Sequence, residues 1–169
     1  MVPKITELLS AELEREAATT RRLLERVPEG RNDWKPHEKS MPLGYLAALV
    51  ATMPGWIAAI LEQDELDIAS PGDHRTGEWS TRRDLLEAFD KAVERGRKAL
   101  AAVDDEFLMT RWKMLAHGHV VSERPRYEAI REDAINHFAH HRGQLTVYLR
   151  LNDAPVSSIY GPTADEKVF

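Results

Sequence analysis

An all-α fold, a four-helix bundle with long inter-helix loops, is what this sequence predicts. Three observations carry that reading. Four long segments place apolar residues at helical spacing, no strand-like alternation of any length stands out, and Pro and Gly mark the segment ends. With 169 residues the chain suits a single domain over residues 1–169.

The first segment runs from about Pro3 to Val27, with an apolar stripe of Ile5, Leu9, Leu13, Leu24 and Val27. Pro3 suits a first helical turn, and Pro28, Glu29 and Gly30 end the segment. The second runs from about Met41 to Glu65, with Ser40 as N-cap and Pro42 in the first turn. Its ring nitrogen carries no N–H, so Pro54 should kink or break this helix near Thr52. Residues 66–79 are polar and contain SPGDHRTGEW, a loop by its punctuation. The third helix opens at Thr81, with Asp84 three residues on in a capping-box pattern, and continues through Leu85, Phe89, Val93, Leu100 and Val103.

An irregular stretch from Asp104 to Pro125 follows, where Gly118 and its neighbours suggest a short hairpin. The fourth helix spans about Arg126 to Leu151, and the Pro- and Gly-punctuated tail after it should lie extended over the surface. The loops of roughly 13 to 20 residues are longer than usual helix–helix connections and could shape the mouth of a site.

Composition removes several function classes. There is no cysteine, so disulfides, thiolate zinc sites and cysteine nucleophiles are excluded. Lys and Arg number 23 against 28 Asp and Glu, a net charge of −5, and no basic stripe is present to neutralise nucleic-acid phosphates. The N-terminal residues contain no apolar core of a signal peptide, which predicts a cytoplasmic protein. Met41 to Leu61 is uncharged and long enough to span a bilayer. Its Pro and Gly residues, with Tyr45 and Thr52, favour a central helix of a soluble bundle instead.

The fourth helix carries the candidate chemistry. On a wheel of about 100° per residue, Ile130, Ala134, His141, Gln144 and Tyr148 fall within roughly 60° of His137. His137 and His141 therefore lie in the apolar stripe one turn apart, a spacing that lets two imidazoles bind one metal. Two interior histidines can equally be satisfied by a carboxylate or a carbonyl. Asp133, one turn before His137, could orient its ring, while Gln144 and Tyr148 could present polar ends to a pocket.

The segment NHFAHHRGQLTVYLRL followed by IYGPTADE, together with DWKPHEKSMPLGYLAALVATMPGW, resembles the DinB/YfiT-like family of metal-dependent helical-bundle proteins. The resemblance covers about Asp33 to Glu166. It implies a non-standard four-helix bundle, commonly a homodimer, with a three-histidine metal site. Relatives of this kind include S-transferases and isomerases that work with low-molecular-weight thiols. Carried over by position, His137 and His141 match two of the three histidines. The third falls on Leu49, which cannot bind a metal.

Three substitutes are available for the missing ligand: Glu12 and Glu16 near the middle of the first helix's stripe, and His37 in the loop before the second. Glu12 and Glu16 can instead be solvated, and His37 can simply fix its loop. The expected cofactor is a divalent metal, zinc or nickel foremost, in a metal-dependent thiol S-transferase or hydrolase. The alternative is a non-catalytic homodimer that has lost the metal and keeps a pocket for a small molecule or thiol. Neither reading involves nucleic acid or a membrane.

Overall fold

A computed structural model describes residues 3–70 and 78–167. Helix α1 is Ile5–Leu24, and α2, Leu43–Thr52, passes through a 3-10 turn at Met53–Gly55 into α3, Trp56–Glu62. Strand β1, Glu65–Asp67, precedes α4, Arg82–Ala101, and the single-turn α5, Asp105–Leu108. Strands β2, Arg111–Ala116, and β3, His119–Pro125, lead into α6, Arg126–Ala129. The same helix continues as a π-helical segment, Ile130–Asn136, and ends as α7, His137–Leu151.

The fold is mostly helical, and the expectation of an all-α chain is corrected by a three-stranded sheet in the order β1-β2-β3. The hairpin expected around Gly118 is β2–β3, closed by a two-residue turn. His117 and Gly118 both have positive φ, at 52° and 77°, as the tight turns matching strand twist require. Strand β1 pairs in parallel with β2 and was not anticipated. Of the polar loop expected over residues 66–79, positions 71–77 lie outside the described residues.

The helix ends follow local chemistry. Thr81 accepts from the Asp84 amide and Asp84 returns the bond to Thr81, the capping box expected there. Helix α1 starts two residues beyond Pro3, and the Asp105 carboxylate accepts from the Ile5 and Thr6 amides at 2.9 and 3.0 Å. Those bonds satisfy two amides that the helix cannot, and the negative charge suits the helix N-terminus. Helix α2 begins after Pro42 rather than at Met41, and the break lies where Pro54 interrupts the amide ladder.

Helix α4 packs against α1, α2 and α3, while α7 packs on α2 and α1. Two apolar clusters result. One gathers Leu43, Leu46, Val50, Phe89, Phe138 and Leu145; the other gathers Leu9, Leu13, Ile57, Leu100, Trp112 and Ile130. Most of the long apolar run Leu43–Glu62 is buried inside the fold, as a core helix is. Residues after Leu151 are non-helical as expected, but Ala154, Val156 and Ser157 are buried. Arg22 and Arg26 hold Glu166, and Arg150 holds Asp165, so the tail is fastened to α1 and α7.

Candidate functional site

A cleft of about 1040 Å³ opens between the loop before α2, the start of α2, the segment before α4, the hairpin tip and α7. Three of these segments are tied in one knot. The Asn32 side-chain amide donates to the Trp79 carbonyl at 3.0 Å, and the Trp79 indole N–H donates to the Gly44 carbonyl at 2.9 Å. The Gly44 amide closes the knot on the Asn32 carbonyl at 2.9 Å. A Cβ on Gly44 would lie 2.8 Å from the Asn32 Cβ, so only glycine permits this approach.

His137 and His141 lie in this cleft, one turn apart on α7. Their Nε2 atoms are 2.8 Å apart. The Nδ1 of His141 lies 2.8 Å from Gln144 Oε1, an atom that can only accept, so this Nδ1 carries the proton. The His137 ring is hydrogen-bonded to the main-chain carbonyl of Asp133. Its Nε2 faces the Nε2 of His141 at hydrogen-bond distance, and two bare lone pairs that close would repel, so in the metal-free protein one of the two nitrogens carries the proton between them. Burial is the largest influence on each ring and pushes both below the ordinary histidine range.

Other walls are apolar or acidic. Leu49 lines the cleft at 9% exposure, and Trp56 lies beside it with its ring 5.9 Å from His137, edge to face. His117 reaches the cleft from the hairpin tip, where the Asp67 carboxylate accepts from the His117 and Gly118 amides at 3.1 and 2.7 Å. These amides, with that of Ala69, hold the Asp67 carboxyl below its usual range.

The remaining residues singled out in the sequence lie apart from the imidazole pair. Glu12 is ion-paired with Arg131, and Glu16 with Arg142 at 2.5 Å while also accepting from Tyr160 at 2.8 Å. Both carboxylates are engaged by arginines. His37 is exposed, its Nδ1 accepting from the Lys39 amide at 3.2 Å. Tyr148 donates to the Met41 carbonyl at 3.0 Å and packs edge-on against Trp34. Asp133 serves His137 through its carbonyl; its carboxyl lies 3.6 Å from Arg124 and is raised chiefly by burial. Among the described residues, no group of three or more His, Asp or Glu side chains is arranged to hold a metal.

Residues that sequence reasoning missed are Asp33, Glu78, Trp79 and His117, all lining the cleft. The signal for His117 was its place beside Gly118 in a tight turn, a position where histidine tolerates positive φ.

Fold and cleft together define a mostly helical protein whose pocket is floored by a pair of imidazoles. The chain belongs to the DinB family, whose model matches residues 1–167. It is similar to the crystal structure of a DinB-like protein from Bacillus cereus ATCC 10987, with a TM-score of 0.71 at 20% identity, covering 95% of this chain and 100% of that one. A DinB-like protein from Bacillus subtilis matches with a TM-score of 0.68 at 22% identity, covering 90% and 97% of the two chains. At these identities the likeness concerns the fold. No curated protein matches this chain.

Proposed function

We propose that the cleft is a small-molecule site in which His137 and His141 present a divalent metal with two protein donors, zinc or nickel foremost. The observation that carries this is the meeting of the two ring nitrogens. The Nδ1 of His141 is committed to Gln144 and its Nε2 faces the Nε2 of His137 at 2.8 Å, so removal of the one bridging proton would free both Nε2 atoms toward a cation. Imidazole ligands are commonly fixed in this way by an acceptor on their other nitrogen. The donor set fits a cation, with coordination sites left open to water or ligand. A metal there would supply Lewis acidity, lowering the pKa of a bound water or thiol. This suits a metal-dependent thiol S-transferase or hydrolase. Gln144 and the Asp133 carbonyl orient the rings, and Leu49 and Trp56 keep that floor apolar.

Metal analysis of tag-free protein after incubation with zinc or nickel tests the reading. Near one equivalent, lost in His137→Ala/His141→Ala, is expected; a stoichiometry near zero overturns it. Leu49 favours a second reading, in which the metal is lost and the cleft serves a non-catalytic binding role. Catalytic zinc ordinarily has three protein ligands, and here an apolar side chain lines the cleft where the family resemblance places a histidine. Homodimer assembly belongs to both readings and is tested by light scattering.

A further inference from the structure

Resting on the reading of the cleft as a small-molecule site, we infer the class of its ligand: an uncharged or amine-bearing molecule with a flat apolar body, and not an anion. The charge of the walls carries this. Among the described residues that line the cleft there is no lysine or arginine, while Asp33 and Glu78 supply two carboxylates. The knot joining Asn32, Gly44 and Trp79 brings these two acids, each one residue from a knot member, to the same rim.

Among the described residues, two cations close to the cleft are used elsewhere. Arg142, on the helix that carries the histidines, is turned to Glu16, Thr20 and Tyr160. Arg82, at the start of α4, donates its side chain to the Val27 carbonyl. A cleft lined by one sign of charge concentrates that sign's field, which here attracts cations and repels carboxylates and phosphates.

The apolar walls give the shape. Trp56 and Trp79 present indole rings, and Leu49, Met41 and Pro42 extend the same surface toward the imidazoles. Flat apolar groups gain from such rings, and an ammonium gains additionally over an indole face. His117, fixed across the cleft by Asp67, offers a hydrogen bond that a neutral polar group can take.

A matched probe series separates charge from shape: 2-(2-naphthyl)ethylamine, 2-(2-naphthyl)ethanol and 3-(2-naphthyl)propionate. Binding is followed by the indole N–H signals of Trp56 and Trp79 in ¹⁵N-labelled full-length protein with chelator present. The amine and alcohol are expected to bind, and the propionate at least tenfold more weakly than the amine, about 1.4 kcal/mol. Asp33→Asn/Glu78→Gln should bring the amine down to the level of the alcohol and leave the alcohol unchanged. Propionate binding as tight as the amine, an amine preference that survives this double variant, or no binding by any of the three overturns the inference. The same series on His137→Ala/His141→Ala keeps the two readings apart. A charge preference that persists there stands even if no metal is ever bound.

Discussion

The guanidinium of Arg142 and the carboxylate of Glu16 meet at 2.5 Å, with the arginine only 1% exposed. The same guanidinium donates to the Thr20 hydroxyl at 2.9 Å and lies over the Tyr160 ring. It therefore joins α1, α7 and the tail. Removing the carboxylate alone leaves a buried cation without its counter-charge, which is worse than removing both partners. Glu16→Leu is expected to cost about 3 kcal/mol, a fall in Tm of roughly 6 to 12 °C. Glu16→Leu/Arg142→Met should recover most of it. Equal losses in the single and double variants, by calorimetry, would show that the pair contributes through packing alone.

Leu49 offers a gain-of-function test of the imidazole pair. Leu49→His places a third imidazole on the wall of the cleft that holds His137 and His141. Three protein ligands are the usual complement for catalytic zinc, so zinc affinity should rise by about tenfold or more. Competition with a chelating dye measures it. An unchanged affinity would mean that position 49 does not address the point where the Nε2 atoms converge.

Gly44 should be irreplaceable by even one methyl group. A Cβ there meets the Asn32 Cβ at 2.8 Å and its Cα at 3.1 Å. Overpacking of this kind costs about 1–3 kcal/mol. Gly44→Ala should lower the denaturant midpoint by that amount and change Trp79 fluorescence, because the Trp79 indole is hydrogen-bonded to the Gly44 carbonyl. Asn32→Gly in the same chain removes the 2.8 Å contact but keeps the 3.1 Å one and loses the bond to Trp79, so it should restore little of the midpoint. A Gly44→Ala variant with the parent's midpoint would contradict the close approach.

Acid should release the tail before it unfolds the core. The Ser158 amide, then Arg22 and Arg26, hold the Glu166 carboxyl down at about 2 from an ordinary value of 4.5. A depressed carboxylate contributes stability that is fully present above pH 4.5 and is lost as pH falls from 4.5 toward about 2. Melting temperature against pH should therefore slope downward through that window. Glu166→Gln should start lower and be flatter. An identical slope in the variant would assign the acid sensitivity to other groups.

What could be read from the sequence divides by range. Leu9, Leu13, Phe89 and Val93 recur at helical spacing and are buried as that spacing implies. The Thr81–Asp84 box and the break at Pro54 are equally local, as is the pairing of His137 with His141 across one turn of a regular α-helix. The missed features depend on partners far along the chain. Strand β1 is three residues long and exists because Leu66 pairs with Met114. Glu16 stood out as an acid in an apolar stripe, but its partner Arg142 lies 126 positions away, beyond any local pattern. The π-helical segment escaped because a wheel drawn at a constant angle assumes that every turn is alike.

That segment, Ile130–Asn136, faces the 3-10 turn Met53–Gly55, so two helices change their winding at the same level of the molecule. The π segment contributes Ile130, Ala134 and Ile135 to the cluster around Leu9, Ile57 and Trp112, and Trp56 packs against that same cluster. Trp56 also meets the His137 ring edge to face. Residues in contact do not contribute independently. A substitution at Leu9 or Ile57 is therefore transmitted through the Trp56 ring to the imidazoles, and the deep core of this molecule is part of the tuning of its cleft.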